Sequence, residues 1–81
     1  MSGLNPNAIV DINKTANAYA ASIVLKIHNR YIDVKSILGL TLTLTLDMDY
    51  ELDIHGPDEA EAKRAMADVF RKHGMKVYVL P

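Results

Sequence analysis

The chain has 81 residues, enough for one small domain spanning residues 1–81, and its 49% hydrophobic and 23% charged residues are typical of a globular protein. Nine basic against ten acidic residues give a net charge of −1, which excludes the strongly basic surface of a nucleic-acid-binding protein. The sequence has no cysteine, no signal-peptide pattern at its start and no apolar run of transmembrane length, so it predicts a cytoplasmic protein without disulfides or thiolate chemistry.

The first predicted helix begins at Pro6 and continues to about residue 20. Asn5 is a favoured N-cap residue, and proline is favoured at the first helical position. Apolar residues recur near helical spacing at Ile9, Ile12, Ala16, Tyr19 and Ala20. An anion site near Asn5 and Asn7, with the helix N-terminus and Asn7 as donors, is the functional alternative to a plain helix N-terminus.

Two short strands and a third, longer one follow. Residues 22–28 and 31–34 predict a hairpin, with a tight turn at Asn29 and Arg30. Residues 49–55 alternate cleanly, which predicts a strand with one packed face and one acidic, solvated face. The packed face comprises Tyr50, Leu52 and Ile54, and the solvated face Asp49, Glu51, Asp53 and His55.

Ser36 lies between the hairpin and an apolar segment, with Lys35 before it and Gly39 three residues after it. Its hydroxyl suits a helix N-cap, because it can accept a hydrogen bond from a backbone N–H two or three residues on. The same position suits a phosphate group, since unpaired N–H groups and the positive end of the helix dipole meet there. Ser36 is therefore either a regulatory phosphorylation site or only a cap.

A second long helix and a final strand close the chain. The helix opens at Pro57 or Asp58, and Gly74 is a natural residue to end it. Its predicted buried stripe comprises Ala62, Ala65, Met66, Val69, Phe70 and His73. Residues 75–80 form a further strand-like segment.

Three stretches together carry a family resemblance: Gly3-Leu4 before a helix start, residues 32–40 around Ser36, and residues 56–62. In these stretches the chain resembles the HPr family, the phosphocarrier proteins of the sugar phosphotransferase system, over about residues 3–73. The resemblance implies an α+β fold, the open-faced β-sandwich in which helices cover one face of a mostly antiparallel four-stranded sheet.

The departures from the family pattern concern its active site. Asn5 stands at the position of the family's phosphorylatable histidine, and Asn7 at that of its arginine. An asparagine amide cannot accept and return a phosphoryl group as an imidazole nitrogen does. The three histidines, His28, His55 and His73, are too scattered to replace it or to form a sequence-evident metal site. We therefore expect neither carrier nor enzyme activity, and no cofactor.

The resemblance implies a regulatory role for Ser36. In HPr-like relatives that lack the histidine, an HPr-kinase-type serine kinase phosphorylates this serine, and the phosphoprotein binds a LacI-type catabolite-control repressor. Ser36 would then be the phosphoacceptor and Lys35 a local positive charge, while Ile37, Leu38 and Leu40 would form the docking patch. Two other functions stay open: a small-ligand or anion-binding module, and an assembly module.

Pattern and resemblance disagree over residues 40–46. Their strict alternation of leucine and threonine predicts a strand. The family has a short helix in the first part of this segment, and we adopt the helix from Ser36 to about Thr43. Its leucines would then either form an exposed docking surface or cover the core.

The chain ends also differ from the family, whose first strand precedes the Gly-Leu motif and lies at a sheet edge. The present sequence leaves no room for that strand before Gly3. We expect residues 75–80 to occupy the vacant edge, parallel to residues 49–55, because a right-handed crossover through the last helix delivers the chain there. A strand-exchanged homodimer is the alternative.

Overall fold

The structure is a computed structural model that describes residues 5–44 and 49–81. In chain order its elements are α1 (Pro6–Asn17), β1 (Ser22–Ile27), β2 (Arg30–Asp33), α2 (Ile37–Thr43), β3 (Asp49–His55), α3 (Glu59–Lys72) and β4 (Lys76–Val79). The strands form one sheet in the order β2-β1-β3-β4, in which only the β3–β4 pair is parallel. This is the α+β open-faced sandwich that the family resemblance implies.

The core lies between the helices and one face of the sheet. Every second residue of β3 is buried, namely Tyr50, Leu52 and Ile54, as the alternation predicts. They pack with Ile23 and Leu25 of β1 and with the buried stripes of α1 and α3. The stripe of α3 comprises Ala62, Met66, Ala67, Val69 and Phe70. None of the described helices combines the length and hydrophobicity needed to cross a bilayer.

The last strand takes the predicted place. β4 pairs with β3 in parallel, with Tyr50 opposite Val77 and Leu52 opposite Val79. It therefore lies at one edge of the sheet, while β2 lies at the other. The parallel direction follows from the connection, because α3 returns the chain to the starting end of β3 before β4 begins.

The first helix ends at Asn17, not near residue 20 as its periodicity predicts. The reason is a distant carboxylate. The backbone N–H groups of Ala20 and Ala21 donate to Oδ2 and Oδ1 of Asp58, each at 2.9 Å. These N–H groups thus bind the residue that precedes α3, and the chain turns towards β1 instead of continuing the helix.

The hairpin turn lies one residue earlier than predicted. Ile27 is opposite Arg30 in the β1–β2 register, so the two turn residues are His28 and Asn29. His28 has a φ of 54°, a left-handed conformation that histidine tolerates better than β-branched residues do.

Because of the contact of Asp58 with Ala20 and Ala21, the stability of the fold should depend on pH in the acid range. The N–H of Ala20, followed by that of Ala21, holds the pKa of Asp58 below its usual value of 3.8. Its stabilising contribution is therefore complete above pH 3.8 and is lost as the pH falls through the lower folded-state pKa. In thermal melts over a pH series, we expect the stability difference between the wild type and Asp58→Asn to shrink below pH 3.8.

The exposed Asp68 provides the matched control for that series. Asp68→Asn should follow the wild type at every pH. A constant offset between the wild type and Asp58→Asn from neutral pH down to pH 2 would contradict the role that we assign to the carboxylate.

Candidate functional site around Ser36

Ser36 caps the short helix α2, as predicted. Its Oγ accepts a hydrogen bond from the N–H of Gly39 at 3.3 Å. The chain reaches this position through a turn at Asp33, whose carbonyl oxygen accepts from the N–H of Ser36 at 3.0 Å. Oδ1 of Asp33 also accepts from the N–H of Lys35 at 2.9 Å. Ser36 itself is exposed, so its hydroxyl is accessible to a modifying enzyme.

Three exposed apolar side chains follow this serine along α2. Ile37, Leu38 and Leu42 are all exposed, with Leu38 leaving 68% of its surface accessible. We call Ser36 and these three residues the Ser36 surface. A group of exposed apolar side chains is typical of a protein-docking site.

Leu40 does not belong to the Ser36 surface, so its prediction as a docking residue is wrong. Its side chain is fully buried in the core, together with that of Leu44. The two residues are four apart and thus lie on one side of the helical segment, and this side packs inwards. Ile37, Leu38 and Leu42 lie on the other sides and stay in solvent.

Lys35 is not a free cation beside Ser36. Its ammonium group donates to the carbonyl oxygen of Tyr19 at 2.7 Å, and its charge helps to lower the pKa of Asp58. The structure therefore gives Lys35 a contact with the segment after α1. The ammonium keeps its positive charge in this contact, because the carbonyl oxygen that accepts from it is neutral.

Two asparagines of α1 that belong to none of the sequence motifs position the segment before Ser36. Nδ2 of Asn13 donates to the carbonyl oxygen of Val34 at 3.2 Å, and Nδ2 of Asn17 to that of Lys35 at 3.3 Å. Asparagines on a helix surface show no sequence pattern that would reveal such contacts. They appear only once α1 and α2 are packed together.

Asn5 and Asn7 lie together at the start of α1. Oδ1 of Asn5 accepts from the N–H of Asn7 at 2.8 Å, which confirms the predicted cap. This N–H group already donates within the protein, so it is not free to bind an anion. The Gly3-Leu4 part of the motif lies outside the described residues.

The three histidines lie in separate places. His28 is in the hairpin turn, while Nε2 of His55 lies 2.6 Å from Oδ1 of Asp53. Nε2 of His73 lies 2.8 Å from Oδ2 of Asp11, and this hydrogen bond, with a second from Lys72, lowers the pKa of Asp11. Within residues 5–44 and 49–81, no group of three acidic or histidine side chains could hold a metal ion.

Comparisons with known proteins agree with this architecture. Residues 1–72 match the family model described as the PTS HPr component phosphorylation site. The crystal structure of Crh, a catabolite repression protein of Bacillus subtilis described as a domain-swapped dimer, superposes with a TM-score of 0.78 at 22% identity. This superposition covers 93% of the present chain and 87% of Crh.

A dimeric HPr from Thermoanaerobacter tengcongensis superposes with a TM-score of 0.77 at 27% identity, over 86% of the present chain and 82% of that HPr. No curated protein matches the sequence. The family match spans α1, the Ser36 segment and α3, the same regions in which the sequence motifs occur. The chain therefore belongs to the HPr family.

Proposed function

We propose that this protein is a regulatory member of the HPr family that is phosphorylated on Ser36 and acts by binding other proteins. The observation that carries the proposal is the exposed hydroxyl of Ser36 beside the exposed side chains of Ile37 and Leu38. This arrangement offers a kinase and a later partner the same accessible surface. The kinase that we propose is of the HPr-kinase type, and the place of action is the cytoplasm.

The proposal excludes a role as histidine phosphocarrier. Asn5 stands where the family has its phosphorylatable histidine, and its amide oxygen is engaged as the cap of α1. No histidine occurs between residues 5 and 17, the range that contains the N-cap and all of α1. A phosphoryl group would have no imidazole nitrogen to attack it at this helix start.

The partner that we propose is a LacI-type catabolite-control repressor with a cation of its own for the phosphoserine. Asn7 stands where the family resemblance places an arginine, so a cation of the partner would add to the charge of Lys35 in pairing with the phosphate. The structural relative Crh is described as a catabolite repression protein, which supports this class of role.

Leu38 should contribute to partner binding without contributing to folding. We expect Leu38→Ala to weaken binding of the Ser36-phosphorylated protein to such a repressor about tenfold, because an exposed leucine that becomes buried in an interface contributes on the order of 1–2 kcal/mol. Isothermal titration calorimetry with a LacI-type catabolite-control repressor would measure this loss.

Tyr31→Ala is the matched control, since Tyr31 is also 68% exposed but lies on the outer face of the sheet, opposite Lys26 of β1. The control should bind like the wild type. Equal binding by all three proteins would contradict the docking role of the Ser36 surface, and so would a complete lack of repressor binding by the phosphorylated wild type.

The small-ligand alternative finds no support in the described part of the chain, which encloses no ligand-sized cavity. The assembly alternative does have a structural basis, the outer edge of β4. It concerns a surface distinct from that of Ser36.

A further inference from the structure

The outer edge of β4 presents backbone groups that pair with no strand among the described residues. The N–H of Leu80 donates to the carbonyl oxygen of Leu52 at 2.9 Å, so even-numbered residues of this strand bond to β3. Because backbone groups alternate sides along a strand, those of Val77 and Val79 point away from β3. Such an edge is a template for another strand.

The side chains at this edge divide by face. Val77 is buried against the core, while Lys76 and Tyr78 lie on the outer face of the sheet. Tyr78 leaves 61% of its surface accessible, which is a large exposed fraction for an aromatic residue inside a strand. In the register with β3, Asp49 is opposite Lys76 and Glu51 is opposite Tyr78.

The same sheet already contains a lysine–tyrosine pair across two strands. Lys26 of β1 is opposite Tyr31 of β2, and its ammonium lies 5.6 Å from the centre of the tyrosine ring, within cation–π distance. On its other side Lys26 is opposite Glu51. One row across the outer face therefore reads Tyr31, Lys26, Glu51, Tyr78, and it ends on the exposed tyrosine at the edge.

We propose that the β4 edge binds the β4 edge of a second copy of this chain, antiparallel and centred on Val77. In this register Tyr78 of each copy lies opposite Lys76 of the other. The junction thus repeats twice the lysine–tyrosine pair that β1 and β2 already form. Each row then continues with Asp49 of the second copy, so charges of opposite sign alternate across the junction. On the inner face, Val77 meets its symmetry mate.

The alternative antiparallel register, centred on Tyr78, fits less well. It places Tyr78 opposite its own symmetry mate and Lys76 opposite Leu80, so the lysine gains no aromatic or acidic neighbour directly across the junction. The register centred on Val77 is thus the one in which the charges are complementary.

A second copy is the occupant that this edge fits. The two structural relatives reported above are described as dimers, one of them formed by domain swapping. The pairing proposed here joins the two chains without strand exchange, because β4 is already paired with β3 of its own chain. A strand of four residues buries less area than a stable dimer needs, so the dimer should be weak and should form as concentration rises.

Two substitutions of the exposed Tyr78 test both the edge and the register. Tyr78→Lys places two like charges opposite each other at both ends of the junction, and we expect it to raise the dimer dissociation constant at least about tenfold. Tyr78→Glu places a carboxylate opposite Lys76, so this variant should keep the dimer that Tyr78→Lys loses. Sedimentation equilibrium over a dilution series up to about 1 mM would measure both, a range that covers weak association.

Tyr31→Lys is the matched control, because Tyr31 lies on the same face at the opposite sheet edge and should not affect the dimer. Circular dichroism of each variant verifies that the fold is retained. Loss of the dimer in Tyr78→Lys alone supports the proposal. The proposal would be overturned by a wild type that is monomeric at about 1 mM, or by equal dissociation of both Tyr78 variants. A dimer that survives Tyr78→Lys would overturn it too, because strand exchange would produce that result.

Discussion

Gly56→Ala is expected to lower the free energy of unfolding by about 3 kcal/mol, on the order of 15 °C in melting temperature for a domain of this size. Gly56 has a φ of 155°, which side chains rarely adopt. A Cβ atom at this position would lie 2.6 Å from Cα of Ala21 and 3.0 Å from its Cβ. The clash is with backbone, so a rotamer change cannot relieve it, and the segments that contain Gly56 and Ala21 would have to move apart.

Gly74→Ala is the matched control for that prediction. Gly74 also has a positive φ, 79°, but a Cβ there would meet no atom within 4 Å. Its alanine variant should therefore lose only about 1 kcal/mol, the cost of a left-handed alanine. Thermal or urea unfolding of both variants measures the difference. Equal losses would show that backbone conformation alone, and not the contact with Ala21, requires glycine at residue 56.

The elements that the sequence predicts best are those with a single strong signal. The alternation in residues 49–55 alone identifies β3 and its buried face. Pro6 after Asn5 marks the start of α1, and Gly74 marks the end of α3. The place of β4 followed from connectivity, because a strand after a crossover helix lies parallel to the strand before it.

The predictions that the structure corrects depend on contacts between residues far apart in the chain. The end of α1 depends on Asp58, which is 38 residues away from Ala20 and binds its backbone N–H. Nothing in residues 18–20 indicates such a partner, and their periodicity alone favours a longer helix. Local patterns cannot reveal an end that is determined by tertiary structure.

The same limit applies to the candidate site. The cap at Ser36 is a local feature and was predicted, whereas the face of α2 that turns inwards depends on how the helix packs. A Cβ at Gly39 would lie 3.2 Å from Cγ2 of Ile32, so this glycine lets α2 approach β2 closely and turn Leu40 into the core. The contact of Lys35 with Tyr19 likewise depends on the packing of α1 against the α2 segment.

Replacing Ser36 should abolish phosphorylation of the protein completely. We expect an HPr kinase with ATP to add one phosphate to the wild type and none to Ser36→Ala. The other two serines, Ser2 and Ser22, remain in the variant and serve as internal controls. Ser36→Ala should still fold, because loss of an N-cap costs only about 1 kcal/mol.

Intact-mass spectrometry of that reaction is the most direct test of Ser36 as the phosphoacceptor, with HPr present in the same tube to prove that the kinase is active. We expect a single added phosphate on the wild type and an unchanged mass for Ser36→Ala. An unmodified wild type beside phosphorylated HPr would contradict this role and would leave Ser36 as the cap of α2 alone.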